Sequence, residues 1–317
     1  MIWWTCDWPG SRHLAVCVRC QLTFCTRPTH NFAALRVCDQ FFAQNVPAQN
    51  EPSFDRSAGA VIVTRTGAPA SISSMLTEIG HVEAIFRYPV KSMAGERLEA
   101  ANLGWHGLDG DRRLALRRMN DRSGFPWLTA SKLPELLLFA PIHRDDGAQG
   151  DLPTYIRTPE GEEMPVFGED LAAEIGRRYG APVEMMQMKH GIFDDASISV
   201  IASDTVSEIG RLAGRSLDVR RFRPNILIRL LRPVPFQEDE WLGGVLSFGE
   251  ADDAPAISVT MHDVRCSMVN LDPDSASSAP EVMKAIVRAN QNNAGIYGAV
   301  TRIGRLAVGQ TIFFRMR

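Results

Sequence analysis

The chain has 317 residues, of which 45% are hydrophobic and 22% are charged, and its formal net charge is −3. This composition is typical of a globular protein with two domains, and the charge excludes a broad polyanion-binding surface, so we expect no nucleic-acid partner. No stretch reaches the ~18 uninterrupted apolar residues of a membrane span. Five of the six cysteines precede residue 39. That distribution does not form the framework of a secreted protein, so we predict a cytoplasmic one.

Residues 1–75 differ from the rest of the chain. They hold five of the six cysteines, and residues 44–74 are rich in Pro, Ser, Ala, Gly and Asn, which is typical of a flexible linker. Cys17-x2-Cys20-x4-Cys25 lacks the second half of a zinc motif. We predict a disordered extension, or a spurious one translated from too early a start codon, with Met75 as an alternative start.

From Ile79 onward, short alternating runs separated by turn residues predict strands. Residues 81–88, 98–103, 113–119, 155–158, 164–166 and 183–188 follow this pattern, and the apolar run 136–142 is consistent with a buried strand. A helix is predicted over 169–179, ending at Gly180.

The second half begins near Gly191 and continues the same pattern, with strands predicted at 197–201, 225–230, 245–248 and 256–261 and a final pair of strands within 300–314. We expect Ser203 to cap a helix over 204–213, and a second helix over 280–289 with Pro280 in its first turn. The sequence therefore predicts a mainly β fold with a few helices (α+β), divided into a β-barrel-like domain at 76–188 and a β-barrel domain at 189–317.

Five polar clusters stand at predicted strand ends. They are Lys91 and Ser92 in Y-P-V-K-S-M-A-G, Arg112 in G-L-D-G-D-R-R, Thr129 and Ser131 in L-T-A-S-K, Arg223 and Asn225 in R-F-R-P-N, and Arg265-Cys266. Asp111 or Asp109 is expected to orient Arg112. Cations and hydroxyl or amide donors of this kind suit a phosphate-bearing ligand.

Cys266 is the only cysteine after Cys38. A lone thiol is either an inert, buried apolar side chain or a thiolate, stabilised by a neighbouring guanidinium, that binds a soft metal or acts as a nucleophile. Together with the cationic clusters, the second alternative predicts an anionic ligand with a thiophilic centre.

The motifs above, with E-D-E-W, R-C-S-M-V-N-L-D-P and G-R-L-x-V-G-Q, occur in one order over about residues 79–315. In this the chain resembles MOSC-domain proteins that carry an N-terminal MOSC β-barrel domain, a group that includes the mitochondrial amidoxime-reducing component and bacterial relatives. The resemblance implies that 76–188 is the MOSC N-terminal domain and that 189–317 is the MOSC domain.

The resemblance also implies a molybdenum cofactor. Cys266 would ligate molybdenum and Asp195 would lie near the metal. Lys91, Ser92 and Arg112 would hold the pterin phosphate, Arg223, Asn225 and Arg265 would contact the cofactor, and Thr129 and Ser131 would line its pocket. The implied reaction is two-electron reduction of N-hydroxylated or N-oxygenated compounds by oxygen-atom transfer to molybdenum.

The expected partners are a small-molecule substrate and a separate electron-donor protein of ferredoxin or flavin type, because the chain contains no C-x4-C-x2-C motif. An alternative follows from MOSC domains fused to pyridoxal-phosphate-dependent sulfurases. In that case Cys266 would carry a persulfide, and pyridoxal phosphate itself would belong to the desulfurase domain.

Overall fold

The computed structural model describes residues 14–17, 22–25, 76–144 and 151–316. The chain divides into two compact units, Met1–Pro69 and Ala70–Arg317. In the first unit, β1 (Leu14–Cys17) pairs antiparallel with β2 (Leu22–Cys25). The other residues of the predicted extension, and the side chains of a possible zinc site at Cys17, Cys20 and Cys25, lie outside the described residues.

The second unit contains sixteen strands and three α-helices among the residues described. Its strands are β3 (Thr77–Arg87), β4 (Glu96–Leu98), β5 (Ala100–Gly104), β6 (Gly107–Leu108), β7 (Leu114–Arg118), β8 (Ala140–Ile142), β9 (Tyr155–Arg157), β10 (Glu163–Pro165), β11 (Val183–Gln187), β12 (Ile198–Ala202), β13 (Ile226–Leu230), β14 (Val245–Phe248), β15 (Ala256–Val264), β16 (Asn293–Arg302), β17 (Gly304–Ala307) and β18 (Thr311–Arg315). The helices are α1 (Glu169–Tyr179), α2 (Ser203–Ala213) and α3 (Pro280–Asn290). The predicted mainly β architecture with a few helices is confirmed.

Seven strands close a barrel in the order β3-β13-β12-β16-β15-β14-β18, and β18 pairs back to β3. All of these pairs are antiparallel except β12 with β13. A parallel pair needs a crossover connection, and α2 supplies it. Because β3 belongs to the segment 76–188, that segment contributes a strand to the barrel.

The barrel interior is apolar and closely packed. Alternate residues of its strands point inward, among them Val82, Ile85, Val200, Leu246 and Ile296. The opposite faces of β3, β12 and β13 pack beneath α2 and α3. All five residues of β12 are buried because the strand is covered on both sides, by the barrel core and by the helices.

A third apolar cluster lies beside the barrel and is built by β7, β11, α1 and the loops between them. Strand β7 pairs with β11, and β8, β9 and β10 form a separate three-stranded sheet. Helix α1 ends as predicted, because Gly180 adopts φ of 82° and its N–H bonds to the Gly176 carbonyl oxygen.

Two local predictions are wrong. The run 136–142 is not one strand: residues Pro134–Leu138 form a 3-10 helix before β8, since proline fixes a helical φ and needs no hydrogen-bond partner at a first turn. Ser203 does not cap α2 but lies within it, and its hydroxyl donates to the Ile228 carbonyl oxygen at 3.3 Å. The final pair of strands predicted within 300–314 corresponds to β17 and β18, and the end of β16 also falls in this segment.

Candidate functional site

A cavity of about 370 Å³ opens where the connections at one end of the barrel meet the third cluster. This volume is within the usual range for a small-molecule site. Nine of the ten side chains predicted at a functional site line it, namely Lys91, Ser92, Arg112, Thr129, Ser131, Asp195, Arg223, Arg265 and Cys266. The prediction that these separate clusters share one ligand is thus consistent with their positions.

Cys266 lies at the end of β15 and is exposed. The alternative of an inert, buried thiol is therefore wrong. The preceding residue, Arg265, is held in place by its buried side chain, which donates to the carbonyl oxygens of Ala294 (2.7 Å) and Phe222 (2.7 Å). The fold thus presents the thiol to the cavity while it anchors the neighbouring residue.

Lys91 and Arg112 reach the cavity from neighbouring connections that are bonded together. The Lys91 N–H donates to the Leu114 carbonyl oxygen at 2.8 Å, and the Arg112 N–H donates to the Tyr88 carbonyl oxygen at 2.7 Å. The alternating pattern of strand residues does not predict these two hydrogen bonds, because they depend on how the two turns dock.

Three cavity residues other than glycine adopt left-handed backbone conformations: Ser92 with φ of 67°, Arg112 with φ of 51° and Arg223 with φ of 50°. Such conformations are unfavourable for residues with a β-carbon and concentrate at functional sites. In each case the surrounding turn places a donor side chain at the cavity wall.

Asp111 orients Arg112, and Asp109 does not. The buried Asp111 carboxylate accepts from the Tyr88 N–H at 2.7 Å, from Asn225 Nδ2 at 3.0 Å and from Arg112 Nη1. Burial by itself would lower the pKa of the Arg112 guanidinium, because it disfavours the charged form. The adjacent Asp111 carboxylate raises that pKa by more, so the pKa lies above its ordinary value.

Asn225, the tenth predicted residue, lies behind the cavity wall and is 1% exposed. Its amide oxygen accepts from the Ser199 N–H at 3.1 Å and from Arg112 Nη1 at 3.3 Å. The residue therefore fixes Arg112 from behind, and a direct contact with a ligand stays a prediction.

Arg223 has an unusual electrostatic position. Its Nη1 donates to the Met93 carbonyl oxygen at 2.7 Å, but no carboxylate in the described ranges lies within ion-pair distance of its guanidinium. Burial lowers its pKa to about 10. Its guanidinium lies 4.2 Å from the Tyr88 ring centroid, and that of Arg112 lies 5.1 Å from the same centroid. A partly buried cation without a carboxylate partner is a strong candidate to bind an anion.

Nine further residues line the cavity without having been predicted at the site, among them Phe125, Asp194, Asp263 and Tyr297. Asp263 is 2% exposed, and its carboxylate accepts from Ser199 Oγ at 2.8 Å and lies 2.8 Å from Arg265 Nη2. Burial raises the pKa of Asp263, and the Arg265 charge only partly offsets this. The sole sequence signal was a charged residue inside the alternating strand β15.

Whether these residues suit a metal-bearing, anionic cofactor can be tested on the site itself. In the described part of the chain, no three His, Cys, Asp or Glu side chains are grouped to hold a metal. A metal at Cys266 would therefore need further ligands from a bound cofactor. The unpaired Arg223 beside Lys91 and Arg112 suits the anionic part of such a group, so the residues present fit it.

Two family models match the chain, one after the other. Residues 79–176 match the MOSC N-terminal beta barrel domain, and residues 187–313 match the MOSC domain. The chain belongs to the MOSC-domain proteins that have an N-terminal MOSC β-barrel domain. MOSC domains are known as sulfurase-like or binding modules for the molybdenum cofactor.

None of the curated proteins matches the chain. Among solved structures, the YUAD protein from Bacillus subtilis is 14% identical with a TM-score of 0.42, covering 77% of this chain and 100% of that one. YiiM from Geobacillus stearothermophilus is 20% identical with a TM-score of 0.30, covering 38% of this chain and 55% of that one. Within the described residues of the MOSC protein, no helix is long and apolar enough to cross a membrane.

Proposed function

We propose that this MOSC protein binds the molybdenum cofactor and reduces N-hydroxylated or N-oxygenated compounds. The observation that carries the proposal is the presence, in one cavity, of the exposed Cys266 thiol and the unpaired Arg223 guanidinium. A thiolate is a soft metal ligand, and a guanidinium binds phosphate through several donors at once. Together they match a cofactor that joins a thiophilic metal to a phosphate.

Each of the ten predicted site residues has a role in this proposal. Lys91, Ser92, Arg112 and Arg223 hold the phosphate, and Asn225 with Asp111 keeps Arg112 in place. Thr129 and Ser131 offer hydroxyls to the pterin, and Cys266 ligates the metal. Arg265 fixes the backbone that carries the thiol.

When bound, the cofactor supplies two-electron oxygen-atom transfer, which is chemistry that side chains do not perform. Reduction of an N–OH group to N–H consumes two electrons and two protons and releases water. Asp195 is exposed at the cavity rim, where a carboxyl group can exchange a proton with solvent. The electrons would come from a separate donor protein of ferredoxin or flavin type.

The exposure of Cys266 also favours a second function. A free thiol that solvent reaches can attack the outer sulfur of a persulfide on a desulfurase cysteine. The S–S bond of the donor breaks, the desulfurase cysteine leaves as a thiolate, and Cys266 carries the transferred sulfur as a persulfide. In this alternative the cationic cavity would receive the cofactor for sulfuration, and no N–O bond would be reduced.

Molybdenum analysis of the purified full chain separates the two functions. We expect stoichiometric molybdenum in the wild type and none in Cys266→Ser. The thermal midpoint of Cys266→Ser should stay close to that of the metal-free wild type, since substitution of an exposed side chain shifts stability by about 0.5 kcal/mol or less. Ser267→Ala, a change at the exposed neighbouring residue, is the matched control and should retain the metal.

Activity provides the second measurement. We expect the molybdenum-loaded wild type to reduce benzamidoxime with a chemical electron donor, and Cys266→Ser to be inactive. Wild-type protein that contains no molybdenum but carries a Cys266 persulfide would overturn the reductase proposal and support sulfur transfer.

A further inference from the structure

We infer that Asp194 competes with the anionic ligand of the cavity for Lys91 and thereby sets how tightly that ligand binds. The inference rests on the proposed function in one respect, namely that Lys91 belongs to the anion-binding site. It assigns a role to an acidic residue that the functional motifs do not include.

The contact between Lys91 and Asp194 is short, and its two side chains differ greatly in exposure. Lys91 Nζ lies 2.8 Å from Asp194 Oδ1 and 3.3 Å from the Ile192 carbonyl oxygen. The Lys91 side chain is 7% exposed, whereas the Asp194 side chain is 65% exposed. The lysine is thus fixed by its surroundings, while the carboxylate can turn into solvent without disturbing packed atoms.

The backbone around Asp194 is held independently of the ion pair. Asp194 lies in the connection between β11 and β12, where the Ile192 N–H donates to the Arg112 carbonyl oxygen at 2.9 Å. Because this anchor is two residues before Asp194, release of the carboxylate requires a side-chain rotation and no movement of the whole connection.

The Asp194 carboxylate and a bound phosphate would compete for the same Lys91 ammonium group. Burial lowers the pKa of Lys91, and Asp194 partly offsets that effect. A phosphate at the same ammonium group would lie against the carboxylate, and like charges at such a separation repel. Binding of the anion therefore displaces Asp194, and the ion pair that is lost lowers the observed affinity.

Asp195 provides a matched comparison. It is the next residue, it carries the same charge and lines the same cavity, but it forms no ion pair with any described residue. Asp194→Asn and Asp195→Asn thus remove equal charge from nearly the same place, and only the first removes the contact with Lys91.

The test is an isothermal calorimetric titration of the metal-free full chain with inorganic pyrophosphate at about 0.15 M salt, where the Debye length is about 8 Å. We expect Asp194→Asn to bind about fivefold more tightly than the wild type, which corresponds to about 1 kcal/mol. Asp195→Asn should bind less than about twofold more tightly, because a solvent-exposed charge is well screened. In the background of Lys91→Met, adding Asp194→Asn should give no further gain.

Two results overturn the inference. If Asp194→Asn gains no more affinity than Asp195→Asn while Lys91→Met still weakens binding, the anion site stands and the competition does not exist. If Lys91→Met binds pyrophosphate as the wild type does, or if neither the wild type nor Asp194→Asn binds it, both the inference and the proposed anion site at Lys91 fail.

Discussion

Replacing Asp111 with alanine should destabilise the barrel and loosen the cavity wall together. The substitution leaves the Tyr88 N–H without its acceptor at 2.7 Å, Asn225 Nδ2 without its acceptor at 3.0 Å, and Arg112 without its carboxylate. Asp111 is 1% exposed, so water does not replace these contacts.

The magnitude follows from these losses. Removing one partner of a buried ion pair lowers the free energy of unfolding by about 3–5 kcal/mol, and leaving one buried donor without an acceptor lowers it by about 1–3 kcal/mol. The losses overlap, because they share one carboxylate, so we expect a decrease of about 4 kcal/mol in the free energy of unfolding. For a chain of this size that corresponds to a fall of about 10 °C in the thermal midpoint.

Thermal unfolding of the full chain, followed by circular dichroism, measures this change. Asp109→Ala is the matched control, because Asp109 lies in the same turn, is exposed and has no side-chain hydrogen bond in the part of the protein described. It should change stability by about 0.5 kcal/mol or less. A loss below about 1 kcal/mol for Asp111→Ala, or equal losses for both variants, would refute the reasoning.

Three further substitutions test the site and its support. Gly95→Ala should cost about 1–3 kcal/mol, because its β-carbon would lie 2.3 Å from Tyr88 Cε1 in a ring that is 1% exposed. Arg223→Met should weaken pyrophosphate binding about tenfold yet change the unfolding free energy by less than about 1 kcal/mol, because its buried charge has no carboxylate partner to lose. Burial raises the pKa of Glu238 to about 7, above its ordinary value of 4.5, so its contribution to stability is present below about pH 4.5 and is lost as the pH rises through about 7. Relative to Glu238→Gln, the wild type should lose about 3 kcal/mol between about pH 4 and pH 8.

Each of these has its own control. Gly124→Ala should be nearly neutral, since nothing lies within 4 Å of the added β-carbon. Arg223→Lys keeps the charge but loses the several donors of the guanidinium, so its affinity for pyrophosphate should lie between those of the wild type and Arg223→Met. A difference in thermal midpoint between wild type and Glu238→Gln that does not vary with pH would contradict the assigned titration, and unchanged pyrophosphate binding by Arg223→Met would contradict its role as the free cation.

Much of the fold can be predicted from local pattern alone. Alternation with a period of two marks the barrel strands, because one face of each strand points into the apolar interior. Gly180 marks the end of α1, because a residue without a β-carbon enters the left-handed conformation freely. The prediction over 136–142 is wrong because apolar content alone does not distinguish a strand from a buried 3-10 turn, and Pro134 was the local signal for the turn.

The beginning of α2 shows what local pattern leaves open. Ser203 has the identity of a capping residue, yet the acceptor near this helix start is Glu238, which lies far along the chain. Its carboxylate accepts from Thr205 Oγ1 at 2.9 Å and from the Ala202 N–H at 3.3 Å. A distant carboxylate can take this place only once the barrel has closed and brought the two segments together.

For the site, the sequence by itself determined which candidate side chains are available: one thiol, several cations and several hydroxyl donors. Only the tertiary structure decided how they are paired. Lys91 meets Asp194 across 103 residues and Asn225 meets Asp111 across 114, while Arg223 meets no carboxylate in the described ranges. The reason is physical: residue identity fixes the charge of a side chain, but its partner depends on which connections the closed barrel brings to the same end.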